Sequence, residues 1–224
     1  MIDLEPLFLT LRLAGITTVL LFFLGIPIAY WLAYSRFRFK GIIEAFISMP
    51  LVLPPTVLGF YLLLLFSPNN GFGAWLNQTL GIQLAFSFQG LVVASIIYSL
   101  PFMVYPILSG LKELPVSLRE AAYTLGKKPI TVLLQVLLPN IKPSLLIGLV
   151  LTFAHTIGEF GVVLMIGGKI PGETKVASIS IYDAVEGMRY QEAHLYAFLL
   201  FLIAFFVLSL VYWLNGRMGK SGIL

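Results

Sequence analysis

The chain has 224 residues, 59% of them hydrophobic and 11% charged, with a mean hydropathy of +0.97. Soluble domains carry about a quarter charged and about half apolar residues, so the composition excludes a soluble globular protein and indicates an integral membrane one. There is no cysteine, which rules out disulfides and thiolate metal sites. The net charge of +4 lies in short loops between apolar runs, where membrane topology explains it better than nucleic acid does.

The start, MIDLEPLFLTLRL, is acidic where a signal peptide is basic, so the first apolar run is read as retained. A first span is expected over about Leu13–Tyr34, with Arg12 snorkelling at its edge and Pro27 as a kink. The second, about Ile42–Phe66, contains Pro50, Pro54 and Pro55, which break it near mid-depth. SPNNGFG then reads as a turn, with Trp75 an interface anchor. The third span, about Phe86–Leu111, is expected to be interrupted at Pro101 and Pro106. A fourth follows over about Leu145–Ile166, and a fifth over about Tyr196–Leu214. Between these two, VASISIYDAV is too short to cross and is expected to dip into the surface.

Cations orient these spans. Ten of the fourteen Lys and Arg residues fall on one side: Arg36, Arg38, Lys40, Lys112, Arg119, Lys127, Lys128, Lys142, Arg217 and Lys220. The other side holds Lys169, Lys175 and Arg189, with Arg12 at a span edge. The excess of cations in cytoplasmic loops then puts the N-terminus outside and the C-terminus in the cytoplasm. The basic side also carries the one long amphipathic island, Leu114–Pro139. Leu114, Leu118, Ala121, Ala122 and Leu125 recur at helical spacing before Gly126, and a second helix starts at Pro129 and ends at Pro139. The island is expected to form a helix-turn-helix on the membrane surface.

Few residues carry chemistry. Gly219, Lys220 and Ser221 match the end of a phosphate-binding loop, but Leu214 stands where its first glycine belongs, so a basic tail is the better reading. Thr152, His155, Thr156 and Glu159 recur at i, i+3, i+4 and i+7, one face of a helix. Ionisable groups at such depth avoid lipid. They either line a path or pack, with His155 and Glu159 paired or bonded to a neighbouring helix. Pro54 and Pro55 point to a break facing a wet cavity, whereas Gly158 and Gly161 read as close helix packing. His194 is the only other histidine, so no metal set is expected. No nucleophile motif accompanies His155 either.

Glu120, Ala121 and Ala122, then Gly126, then Leu138 and Pro139 resemble the EAA loop of ABC importer permeases, with Val136 where isoleucine is usual. The resemblance implies an all-α, five-span type I transmembrane domain over residues 9–214, a cytoplasmic coupling loop over 112–142 and a tail over 215–224. It implies a homodimer in a bacterial or archaeal cytoplasmic membrane, in contact with lipid and not with nucleic acid. A periplasmic or extracellular oxyanion-binding protein would deliver substrate. A separate cytoplasmic ATPase would use ATP and Mg, so this chain is not itself an enzyme and holds no cofactor. Docking falls to Glu120, Ala121 and Ala122, with Gly126 as the turn and Pro139 closing the motif. Locally, Ser117 and Glu120 also fit a capping box, which Pro115 opposes by suggesting an earlier helix start.

MPLVLPPTVLGF, TIGEFG and IPGET further resemble the molybdate branch of that family, and sulfate permeases share the EAA loop and a similar GE-aromatic-G element. Tungstate and sulfate therefore stand as alternative substrates. An ion-coupled carrier using His155 and Glu159 as a relay is a second class, against which stand the EAA loop and the lack of an inverted repeat.

Overall fold

The computed structural model describes the backbone of residues 3–220 and the side chains of residues 3–210 and Trp213. Among the described residues every regular element is a helix. Helices α1 (Glu5–Tyr34), α2 (Lys40–Val52), α3 (Pro55–Phe66), α4 (Gly71–Leu80) and α5 (Phe88–Glu113) make the first half. In the second half, α6 (Val116–Thr124) and α7 (Pro129–Val132) lead into a π turn (Leu133–Leu137) and α8 (Leu138–Asn140). Helices α9 (Lys142–Ile157), α10 (Gly161–Gly167), α11 (Ala177–Glu186) and α12 (Tyr190–Lys220) follow. Of the tail expected over 215–224, residues 221–224 lie outside the described residues, and with them Ser221 of the GKS sequence.

Helices α1, α5 and α12 are each long and apolar enough to cross a membrane. Two bent pairs, α2 with α3 at 113° and Pro129–Asn140 with α9 at 82°, raise the possible crossings to five. The first bend has a local cause. Leu53 (φ −71°, ψ 137°) and Pro54 (φ −54°, ψ 134°) each precede a proline, whose ring pushes the preceding residue out of the helical region. Two such residues in succession leave no way to continue the turn.

Other prolines behave differently. The interruption expected at Pro101 and Pro106 does not occur: α5 runs unbroken through both, and α1 through Pro27. Pro101 is buried on α5, where neighbouring helices hold the backbone despite each missing bond. Nor does Pro139 end a helix. The π turn just before it gives Leu138 N–H to Leu133 O, a widened turn that makes room for the ring.

Helix α5 is the hub, packed along α1, α9 and α10 and touching α2 and α3. Two apolar clusters stack along it. One joins Leu21, Ala29 and Leu32 of α1 to Met103, Ile107 and Leu111 of α5 and to Ala122, Val132 and Leu137 of the island. The other joins Leu9 and Leu13 to Leu62 and Phe66 of α3, Leu91 of α5, and Val162 and Ile166 of α10. Arg12 stays exposed, its guanidinium 4.6 Å from the Phe88 ring centroid at the start of α5. The segment expected to dip into the surface is α11, packed against α12 and α1.

Candidate functional site

The island folds as a helix-turn-helix whose turn is set by Gly126. Leu114, extended before Pro115, ends α5, and Pro115 caps α6. At the other end Gly126 N–H donates to Tyr123 O at 2.9 Å and Lys127 N–H to Ala122 O at 3.2 Å. These paired bonds define a Schellman termination, which places a left-handed residue where Gly126 stands. Its φ is +73°, and a Cβ there would meet nothing within 4 Å, so glycine is needed for its backbone and not for space.

Of the two helix starts that the sequence leaves open, the earlier one, set by Pro115, is the one observed. Ser117 caps nothing, because α6 already begins at Val116 with Pro115 as its cap, so Glu120 lies mid-helix. The apolar stripe is also not a buried face: within α6 only Ala122 is buried, while Glu120 and Ala121 are exposed and Leu125 is 77% exposed. Val116, Leu125, Ile130 and Leu134 together leave the hairpin with an open apolar surface beside Lys127 and Lys128. Exposed clusters of this kind mark interaction surfaces.

The intramembrane polar residues converge, though not as one helix face. Thr152, His155 and Thr156 lie on α9, but that helix ends at Ile157 and Glu159 falls in the break before α10. Their partners are on α5. Ser95 Oγ donates to Glu159 Oε2 at 2.8 Å. Ser99 Oγ lies 2.9 Å from His155 Nδ1 and 3.1 Å from Thr156 Oγ1, and Thr156 Oγ1 donates to Thr152 O at 2.9 Å. With the Thr156 proton committed to Thr152 O, Thr156 accepts from Ser99, and Ser99 in turn accepts from a proton on His155 Nδ1.

His155 and Glu159 therefore do not pair with each other. The imidazole lies between the rings of Tyr98 and Phe102, at centroid distances of 4.7 and 4.0 Å. Glu159 is 4% exposed and its Oε1 has no partner among the described residues. The break is held from the far side as well, since Ser178 of α11 donates to Glu159 O at 2.7 Å.

Pro55, Thr56, Tyr98, His155 and Glu159 line a cavity of about 490 Å³ at this break. Its close wall follows from Gly161, where an added Cβ would lie 2.7 Å from Pro55 Cβ. Gly158, by contrast, is exposed and meets only its own helix's carbonyls, so only one of the two glycines serves close packing. Pro54 forms the bend itself. The sequence reading missed Ser95 and Ser99, although their spacing of one helical turn within the third apolar run was the available signal.

At the opposite end from the hairpin, each expected cation is paired. Lys169 reaches Glu186 at 2.7 Å and Asp183 at 3.2 Å, Lys175 reaches Asp183 at 2.7 Å, and Arg189 reaches Glu192 at 3.2 Å. The hydrogen bond from Lys175, with that from Lys169, holds the Asp183 carboxyl below its ordinary range, and the bonds that Lys169 donates to Glu186 and Asp183 raise Lys169. Among the described residues no His, Asp and Glu side chains converge as a metal site.

The family described as binding-protein-dependent transport system inner membrane component matches residues 25–220. A molybdenum transport system permease protein of Azotobacter vinelandii is 47% identical over 222 residues, covering 99% of this chain and 97% of that protein. A probable sulfate transport system permease protein of Nephroselmis olivacea is 31% identical, covering 94% and 74%. Among solved structures, a bacterial alginate ABC transporter in complex with alginate pentasaccharide-bound periplasmic protein superposes with a TM-score of 0.78. That match covers 98% of this chain and 80% of the other at 18% identity, a likeness of fold.

Proposed function

Since this chain belongs to the family of binding-protein-dependent transport system inner membrane components, we propose that it is the permease subunit of an ABC importer for molybdate. The observation that carries the substrate is the 47% identity to a molybdenum permease across 99% of the chain. The hairpin supports the class. Its apolar residues Val116, Leu125 and Ile130 stand open to a partner, and a separate cytoplasmic ATPase is the partner an ATP-driven importer requires. Glu120 and Ala121 would present the docking surface, Gly126 the turn and Pro139 the close of the motif, whereas Ala122, buried against α1 and α5, supports the docking helix from behind.

The two bent pairs count as crossings in this reading, which gives five across residues 9–214, the N-terminus outside and the basic loops in the cytoplasm of a bacterial or archaeal cell. Ten Lys and Arg on the hairpin side against Lys169, Lys175 and Arg189 on the other, with Arg12 at a span edge, support this orientation. Two copies would enclose the path. ATP binding would draw the two hairpins together and open the path outward, each ligand shifting the balance by its differential affinity for the two states. A periplasmic or extracellular protein would select the oxyanion, because the spans offer the dianion few cations. Glu159, bonded to Ser95 and Ser178, serves packing at the break.

Uptake of radiolabelled molybdate by the whole complex in proteoliposomes tests the reading, with tungstate and sulfate as competitors. Molybdate uptake that requires ATP and resists excess sulfate is expected. Transport driven by an ion gradient without the ATPase would sink the importer class. The second reading, a sulfate permease, rests on the 31% identity to a sulfate relative, and uptake abolished by equimolar sulfate would favour it.

A further inference from the structure

Four side chains join the hairpin to the first helix, and nothing in the EAA motif calls for them. Tyr30 and Tyr34 stand one turn apart near the basic-side end of α1, and Arg119 and Tyr123 stand one turn apart on α6. The two pairs face each other. Arg119 Cζ lies 4.2 Å from the centroid of the Tyr34 ring, and the hydroxyls of Tyr30 and Tyr123 lie 3.3 Å apart. Tyr30 and Tyr34 meet edge to face at 5.2 Å. Tyr34 also donates to Leu111 O at 3.1 Å, in the last turns of α5.

Otherwise α6 packs beside α7 and the π turn, elements that lead on into α9, and buries the small side chain of Ala122 in the cluster shared with α1 and α5. Its chain link to α5 passes through Leu114 and Pro115, both non-helical. We propose that Arg119 and Tyr34, seconded by Tyr30 and Tyr123, form a clasp that carries movement of the docking helix α6 into α1 and α5. The inference rests on the permease reading above and assigns Arg119 and Tyr34 as positioning residues. A stacked guanidinium suits such a joint, because it keeps its charge and slides over a ring face without needing one fixed hydrogen-bond angle. Because α1 contributes residues to both apolar clusters and packs along α5, a displacement received there reaches both.

The test uses the complete importer in proteoliposomes, with ATP hydrolysis and molybdate uptake measured on the same preparation. Arg119→Ala is expected to leave assembly with the ATPase intact and hydrolysis within about two-fold, while uptake per ATP falls roughly five-fold or more, the lower range of coupling between sites. Tyr34→Phe keeps the ring and is expected to retain uptake, whereas Tyr34→Leu is expected to behave like Arg119→Ala. Unchanged uptake per ATP in Arg119→Ala overturns the clasp. Loss of ATPase binding in that variant overturns it too, by making Arg119 a docking residue. A wild-type complex that transports no oxyanion with ATP rejects the permease reading itself, an outcome distinct from either. If Arg119→Ala fails to fold, the Tyr34→Phe and Tyr34→Leu pair decides the matter by the same ratio.

Discussion

Ser95 on α5 donates a hydrogen bond to Glu159 in the break after α9, and that bond ties an intramembrane carboxyl to a helix more than sixty residues away in sequence. The contact gives the acid a place in the packing at a break that Ser178 steadies from α11. Removing the serine hydroxyl leaves a buried carboxyl without its partner, a loss of about 1–3 kcal/mol. Ser95→Ala is therefore expected to lower the thermal unfolding temperature of the purified permease, and Glu159→Gln, which still accepts from Ser95, to lower it less. A Glu159→Gln protein that keeps its stability but changes its preference between molybdate and sulfate would show the group lining the path.

Gly126 separates backbone from space unusually well. With nothing within 4 Å of a Cβ, the whole cost of substitution is the left-handed conformation, about 1–2 kcal/mol for an ordinary residue. Gly126→Asn is expected to keep ATP-driven uptake and Gly126→Val to reduce it. Gly126→Pro is expected to abolish it, because proline cannot reach φ +73° and lacks the N–H that Tyr123 O accepts. Intact uptake in Gly126→Pro would remove the hairpin from the coupling mechanism.

Gly161 makes the opposite case. A Cβ there would lie 2.7 Å from Pro55 Cβ, so Gly161→Ala forces α10 away from the start of α3. Overpacking of this kind costs about 1–3 kcal/mol. The expected result is a less stable protein with slower uptake, checked by thermal unfolding and transport in parallel. Gly158→Ala, at an exposed glycine clear of neighbouring elements, is expected to leave stability almost unchanged.

The loop network carries a pH dependence of known sign. Asp183 is held below its ordinary 3.8 by the hydrogen bond from Lys175, then by that from Lys169. A depressed carboxyl contributes stability that is present above its unfolded value and lost as pH falls through the folded one. Amides of α11 are thus expected to lose hydrogen-exchange protection only below about pH 4, and Asp183→Asn to flatten that acid step. Wild type and Asp183→Asn with superimposable acid profiles would exclude the network as the cause.

Much of the architecture was legible because its causes are local. Apolar runs long enough to cross mark α1, α5 and α12, and the consecutive prolines at 54 and 55 announce a bend because each restricts the residue before it. Pro101, Pro106 and Pro139 carry the same local signal and yet sit within helices. A lone proline removes one hydrogen bond, and packing on both sides or a π turn absorbs that loss.

By itself the sequence determined the membrane class, the basic side and the position of the hairpin turn, because composition, charge and a left-handed glycine act through a residue and its immediate neighbours. Tertiary structure alone decided that Glu159 leaves its helix to meet Ser95, that His155 turns to Ser99, and that Arg119 lies on Tyr34. Each of those partners is remote in the chain. Which serine or which ring an isolated polar side chain meets depends on the offset and rotation between packed helices, and no periodicity within one helix encodes those.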